Sequence, residues 1–405
     1  MPRVGAAYLV NDKTTVRGGY GIFYSAENDA REDILTKNYP FFTQEEYFNS
    51  AYSFDYGLDA GVARNTTINL PKGASSIDMT TIPSATNQVV YSEPKHFPDG
   101  YSEMYNFTVQ RMLPSNLSLE VGYVGSQAHR LAYQVGNYNV NSHLSSKIGK
   151  VQTLLPVGKS NYNALQAKVE RRYANGWSVL GSYTYGHSLD NGPAPFDLGS
   201  HNTPQSPFDL KAEYASSDND VTHNFTISNQ LDLPFGRGKH YFRSAGPLTD
   251  AIVGGWHLNS IASFHTGRPV NIVTGLKDFP GIRPNRVPGQ NPILPHDKRT
   301  ITEWFNVAAF DLHTPGQNDQ SKNPPPGTSS RNIVRAPGYS NEDLSLFKNF
   351  TLPRETSIQF RVESFNLLNT PHYGSPNAVI TKGGFGAIQS AGEQRICQFA
   401  LKYVY

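Results

Sequence analysis

The sequence predicts an all-β fold, an antiparallel sheet whose strands cross a membrane as part of a β-barrel. Three observations predict it. Segments of about ten residues alternate apolar and polar side chains, the length and period of a spanning strand. The connectors between these segments are by turns short and long. The chain also closes on an apolar, aromatic strand, Arg395–Tyr405.

In that strand Cys397, Phe399, Leu401, Tyr403 and Tyr405 share one parity, opposite Ile396, Gln398, Ala400, Lys402 and Val404. Alternate side chains of a strand point to opposite faces, so one face is apolar and the other mixed. Such a terminal aromatic strand resembles the end of bacterial outer-membrane barrels. There, Phe399, Leu401, Tyr403 and Tyr405 match the signal read by the barrel-assembly machinery.

The other segments follow in order. Val4–Val10 and Thr14–Tyr24 are joined by Asn11-Asp12-Lys13, with Val16, Tyr20, Ile22 and Tyr24 opposite Arg17. Glu103–Leu113 and Leu117–Ser126 turn at Pro114-Ser115-Asn116, with Tyr105, Phe107 and Val109 on one parity of the first and Leu117, Leu119, Val121 and Tyr123 on one parity of the second. Tyr162–Tyr173 and Trp177–His187 turn at Ala174-Asn175-Gly176 and carry Leu165, Ala167 and Val169, then Trp177, Val179, Tyr183 and Tyr185. His223–Leu233 and Gly255–Thr266 are joined by the medium connector 234–254. Glu342–Leu352 and Thr356–Leu367 turn at Pro353-Arg354-Glu355, with Ile358, Phe360 and Val362 opposite Gln359, Arg361 and Glu363. With the last strand the count is about eleven. Apolar residues recur at every second position, not every third or fourth, which excludes amphipathic helices here.

Between the hairpins lie long stretches rich in Pro, Gly, Asn and Ser at 25–102, 127–161, 188–222, 267–341 and 368–394. Loops beyond about 15 residues are uncommon in compact soluble domains, whereas outer-membrane barrels pair short periplasmic turns with long extracellular loops. A strand of about ten residues tilted by about 45° projects to about 23 Å, near the apolar band of such barrels. In lipid every backbone polar group needs a partner, so the strands must belong to a closed ring. An odd antiparallel set cannot close on itself without a parallel seam.

Composition agrees. Charged residues are only 17% of the 405, and aromatic residues are 12%, almost all Tyr and Phe, which suits strands and interfacial girdles. Mean hydropathy is −0.48, and no apolar run reaches the roughly 18 residues of a spanning helix. A net charge of +2 without a basic run argues against nucleic acid as a partner. The single cysteine, Cys397, rules out an intrachain disulfide and a cysteine zinc site. Met1-Pro2-Arg3-Val4 runs directly into strand pattern without a secretory leader, and the expectation is that the barrel continues upstream.

Several stretches resemble, in collinear order, the TonB-dependent outer-membrane receptors of the Oar-like type. They are Pro2–Tyr8 with Thr15–Gly21, Asn106–Arg111 with Leu119–Ser126, Asn161–Gln166 with Ser182–Tyr185, Leu233-Pro234-Phe235-Gly236 with Gly255-Trp256, and Arg361–Asn369 with the closing strand. The resemblance implies a barrel of about 22 strands with a plug in its lumen. This chain would supply the C-terminal portion of that barrel over 1–405, without plug or signal peptide. It further implies import of a nutrient (siderophore, oligosaccharide or peptide), with outer-membrane lipid around the barrel. Energy would come from a TonB-type periplasmic protein acting through the N-terminal region this chain lacks.

Motifs of covalent chemistry are absent: no His-Glu-x-x-His, Gly-x-Ser-x-Gly or phosphate-binding Gly-x-x-x-x-Gly-Lys occurs, so neither catalysis nor a cofactor is expected. Gly236-Arg237-Gly238-Lys239 reads as a solvated connector, with phosphate binding the alternative. Asp218, Asp220 and His223 are either metal ligands or, as adopted here, a polar stretch whose Asp and Asn satisfy turn backbones. Lys168, Glu170, Arg172, Arg361 and Glu363 fall on inward faces, as lumen salt bridges or as a solute path. Asn-x-Ser/Thr triplets at Asn65, Asn106, Asn116, Asn224 and Asn349 mostly coincide with strands and read as chance. The extracellular ligand remains unnamed by any residue. Two other readings stand beside the importer: a passive outer-membrane barrel with a structural or adhesive role, and a soluble β-sandwich that binds carbohydrate.

Overall fold

The structure, a computed structural model, describes residues 2–24, 90–136, 151–192, 204–276, 281–311, 325–352 and 356–404. Eleven long strands run through them: β1 (Arg3–Asn11), β2 (Thr14–Tyr24), β3 (Tyr101–Leu113), β4 (Leu117–Val135), β5 (Val151–Ala174), β6 (Trp177–Asp190), β7 (His223–Asp232), β8 (Trp256–His265), β9 (Tyr339–Thr351), β10 (Ser357–Phe365) and β11 (Ile396–Val404). Each pairs antiparallel with the next, so one sheet follows the order of the sequence from β1 to β11. All six predicted segment groups are present, with hairpins at the turns 11–13, 114–116 and 174–176, and the turn predicted at Pro353-Arg354-Glu355 lies outside the described residues.

The register puts the predicted apolar sets on one face. A single cross-strand row reads Trp177–Leu231–Leu258–Leu346–Val362–Phe399. The adjacent row, on the opposite face, reads Ser178–Gln230–Asn259–Ser345–Glu363–Gln398. A one-residue slip in any strand would exchange these two rows locally. The polar row is hydrogen-bonded across the strands: Ser178 Oγ donates to Gln230 Oε1 at 3.2 Å, and Ser345 Oγ to Glu363 Oε1 at 3.3 Å. The apolar face carries a second row, Tyr8–Val16–Val109–Val121–Ala167–Tyr183–Phe225–Phe264. Tyr8, Phe107, Leu165, Tyr185 and Phe264 are exposed on this face. Exposed apolar surface continuous over so many strands is foreign to a soluble monomer; hydrocarbon is the solvent that suits it.

Two backbone features set the register. Asn175 and Gly176 take φ of 53° and 78°, the pattern of a two-residue type I′ turn, and close the β5–β6 hairpin. Gly176→Val is expected to cost about 1–3 kcal/mol, because a β-branched residue is strained at positive φ; the denaturation midpoint of the folded protein in detergent reads the loss. In β4, Gly125 leaves room for the ring of its partner Tyr105, whose Cε2 would lie 2.2 Å from a Cβ there. The aromatic ring thus covers the glycine backbone on the apolar face.

Two of the cations on the apolar parity at the short-turn end, Arg171 and Lys348, are buried among carbonyls. Arg171 donates to Ser115 O at 2.8 Å, to Ala174 O at 2.9 Å and to Trp177 O, and lies 4.7 Å over the Trp177 ring. Lys348 makes the matching arrangement beside Trp256. Each charge is spent on backbone carbonyls, so neither meets hydrocarbon unpaired.

The structure shifts several predicted strand ends by a few residues, and one region changes more. The stretch 127–161, read as a connector, is largely strand: β4 runs to Val135 and β5 begins at Val151. The pairing shifts register between Ala128 and Ala132, where Arg130 takes φ of 55°. This bulge breaks the period-two alternation, which hid the strand. The short strand Val90–Ser92 adds to β5 in parallel. Among the described residues the larger apolar cluster lies outside the main sheet, in the long connectors, as Ile272, Phe305, Ala309, Phe310 and Val334 with Phe385 packed on them, and a smaller one joins Phe97 to Ala132 of β4 and Leu154 of β5. β1 and β11 are the two edges of the sheet and do not pair with each other.

Candidate functional site

The long connectors after β6 and β8 fold into an outer lobe fastened by arginines. Arg283 and Glu213 are each 1% exposed and form a two-pronged pair, Nη1 to Oε2 at 2.5 Å and Nη2 to Oε1 at 3.2 Å. Arg283 Nε also donates to Ser329 O at 2.9 Å. Glu213 ends a short 3₁₀ turn, Leu210–Glu213, capped by the Asp209 side chain. Its Oε1 further accepts from the Gln205 backbone at 3.0 Å. Gln205 in turn accepts, through Oε1, from the backbone N–H groups of Arg283 at 2.9 Å and Gly327 at 2.8 Å. Through Arg283 and Gln205 this buried carboxylate pins three separate chain segments.

A second cluster joins the lobe to the strands. Arg331 donates to Glu213 O at 3.1 Å and Asp190 O at 2.9 Å and pairs with the Asp190 carboxylate, while Asp218 lies 3.6 Å away. Asn332 Nδ2 donates to Asp218 at 2.6 Å. Arg335 pairs with Asp220 and donates to Gly267 O at 3.1 Å. Asp220 also meets His187 at 3.0 Å and accepts from Ser188 N at 2.8 Å. Asp218 and Asp220 are therefore committed to arginine and asparagine. His223 lies apart from them, with Nδ1 2.8 Å from the Tyr183 hydroxyl. The three do not converge as metal ligands.

These arginines and Glu213 escaped sequence reading. The run Arg331-Asn332-Ile333-Val334-Arg335 was the available signal: two arginines flank Val334, which packs into the lobe core.

Beside the lobe lies a cleft of about 930 Å³, lined by both strands and connector. Tyr101 (β3), His129 and Arg130 (β4), Lys159 and Asn161 (β5), and Lys211 and Tyr214 surround it. Among the described residues no carboxylate lines it. The bulge at Arg130 aims that side chain over the Tyr101 ring, 5.9 Å from its centroid. Apolar rings, amides and three cations suit an amphipathic or anionic small molecule held at the long-connector end.

The other residues singled out in the sequence are placed as follows. Phe399, Leu401 and Tyr403 lie on the apolar face of β11, the first two 73% and 72% exposed. Tyr405 lies outside the described residues. Lys168, Glu170, Arg361 and Glu363 lie on the polar face, Lys168 2.8 Å from Glu170 and Arg361 3.3 Å from Glu363. Asn65 lies outside the described residues, and Asn106, Asn224 and Asn349 are within strands.

A family profile described as "Outer membrane beta barrel domain" matches residues 1–398. No curated protein matches the chain. Among solved structures, the pyoverdine outer membrane receptor FpvA of Pseudomonas aeruginosa PAO1 aligns with 11% identity and a TM-score of 0.47, covering 100% of this chain and 36% of that one. The outer membrane transporter YddB of Escherichia coli aligns with 9% identity and a TM-score of 0.48, covering 96% and 38%. The siderophore receptor PiuA of Acinetobacter baumannii aligns with 10% identity and a TM-score of 0.44, covering 98% and 35%. The chain thus spans little more than a third of the length of these structures.

Proposed function

The chain belongs to the outer membrane beta-barrel domain family, and from that premise we propose that it forms part of a receptor barrel that takes up a nutrient from outside the cell. The single observation that carries this reading is the fastened outer lobe with its cleft, standing at the long-connector end of a sheet whose other end has only tight turns and one medium connector. Ligand-gripping loops held on a rigid scaffold are the usual design of a receptor. The two unpaired edges support a larger ring. Ten successive antiparallel pairings leave β1 and β11 running in the same direction. Direct closure would need a parallel seam, and in lipid both edges require partner strands. On this reading the sheet forms the C-terminal portion of a larger barrel, with further strands completing it. Energy for release would come from a TonB-type periplasmic protein acting on another part of the receptor. The aromatic parity of β11 with Tyr405 would serve the assembly machinery. No step requires covalent chemistry.

Growth on scarce nutrients tests the proposal. Deleting the gene is expected to abolish use of one class of source (chelated iron, oligosaccharide or peptide), and removing the energy-coupling protein is expected to do the same. A gene deletion that matters while the energy-coupling deletion does not would instead assign a passive pore. Loss of adhesion with uptake unchanged would assign a structural role.

A further inference from the structure

The connector between β7 and β8 holds a group of residues that nutrient uptake does not use. It folds as a clasped turn followed by a short helix, α1 (Pro247–Val253). The turn is built by backbone hydrogen bonds from Gly236 N to Tyr241 O at 3.0 Å and from Tyr241 N to Pro234 O at 2.9 Å. Asp250 Oδ1 accepts from Arg237 N at 2.5 Å and ties turn to helix. Out of this small body project Tyr241, Phe242, Leu248 and Ile252, all exposed, Leu248 by 83% and Ile252 by 71%. Among them stand Arg237, Lys239 and Arg243, also exposed. Asp250 is the only carboxylate between Pro234 and Gly254. Asp232, just outside the connector, is held by Tyr173 at 2.7 Å and His257 at 2.6 Å and lies within electrostatic reach of Lys239.

The position of this body decides what it meets. Lys348 belongs to the apolar parity, between Trp256 and Phe360. Its amine reaches Asp250 O at 3.2 Å and Ala251 O at 2.6 Å in α1, and the carbonyl of Gly254 just beyond it. Trp256, on the same face, donates Nε1 to Ile252 O at 2.8 Å. The helix is therefore fastened to the hydrocarbon-facing side of the sheet. It sits at the short-turn end, directly below the row Trp177–Leu231–Leu258–Leu346.

We propose that residues 234–254 form an interfacial foot that binds anionic phospholipid, with Tyr241, Phe242, Leu248 and Ile252 sunk at the headgroup boundary and Arg237, Lys239 and Arg243 on lipid phosphates. Exposed apolar side chains continuous with a lipid-facing surface, interleaved with cations that lack carboxylate partners in the connector, are the makings of an interfacial segment. Lys348 and Trp256 are positioning residues, holding the foot at a fixed height. The Gly236–Lys239 turn, read from sequence as a solvated connector, becomes a phosphate contact supplied by lipid. The inference needs only the membrane placement of the family and is independent of what the receptor imports.

The test uses the protein purified from its membrane in detergent and returned to vesicles of phosphatidylcholine, with or without phosphatidylglycerol. A single environment-sensitive fluorophore is attached through Leu248→Cys in a Cys397→Ser background; both sites are exposed. The expected result is blue-shifted emission, quenched by lipids brominated near the headgroup and protected from aqueous iodide. Quenching by iodide and not by bromolipid would overturn the proposal. Retained lipid is then weighed by mass spectrometry. The preference for phosphatidylglycerol is expected to fall about fivefold for each of R237Q, K239Q and R243Q, with heat-modifiable migration on gels confirming that each variant is folded. An unchanged preference in the folded triple variant would show that the cations do not hold lipid and would also overturn the proposal.

Discussion

Glu213→Ala is expected to loosen the outer lobe and to cost about 3–5 kcal/mol of its stability. The substitution leaves the Arg283 guanidinium, 1% exposed, without its carboxylate. It also removes the acceptor of the Gln205 backbone. Losing a buried charge partner costs far more than breaking a surface pair, because water does not take the place of the lost carboxylate. Limited proteolysis should show new cleavage within 204–222 and 281–338, while β1 to β11 stay protected. The double replacement Glu213→Leu with Arg283→Met removes both charges and should recover most of the loss. A single variant as resistant as the wild type would show that the pair does not hold the lobe.

A charge placed on the apolar face has the second large effect. Ile227 lies mid-strand in β7, flanked by Gly181 of β6 and Ala262 of β8. Ile227→Arg is expected to cost about 2–4 kcal/mol at the bilayer midplane. Its neighbour Ser228 faces the polar side, paired with Leu180 and Ile261, and Ser228→Arg should cost less than about 1 kcal/mol. Unfolding in lipid vesicles compares the two. Equal losses would mean that hydrocarbon does not cover the Ile227 face.

The strands were legible because membrane burial on one side imposes strict alternation. Ile358, Phe360 and Val362 announce β10, and the Asn175-Gly176 pair announces the hairpin before it is seen. Reading failed where that rule lapses. Above the membrane β4 and β5 continue through a bulge, so Gln127 to Val135 carries no clean period. The lobe was hidden for another reason. Its core joins Ile272, Phe310 and Val334, residues far apart in the chain, and its fastening pairs link positions about 70 and more than 100 residues apart. No local pattern encodes such pairings. Asp218 and Asp220 attracted notice as possible ligands, yet their partners Arg331, Asn332 and Arg335 lie in another connector.

The common direction of β1 and β11 also governs how copies of residues 1–405 would meet if produced without the strands that complete the ring. Two sheets joining through like edges, β1 to β1, would form a favourable antiparallel ladder only about a twofold axis normal to the sheet. That operation turns one partner upside down, with its lobe toward the cell interior. A bilayer that receives every copy from the same side forbids the arrangement, whereas detergent permits it. Sidedness of insertion therefore guards these strands against self-association, and inverted pairs are to be expected once the membrane is dissolved.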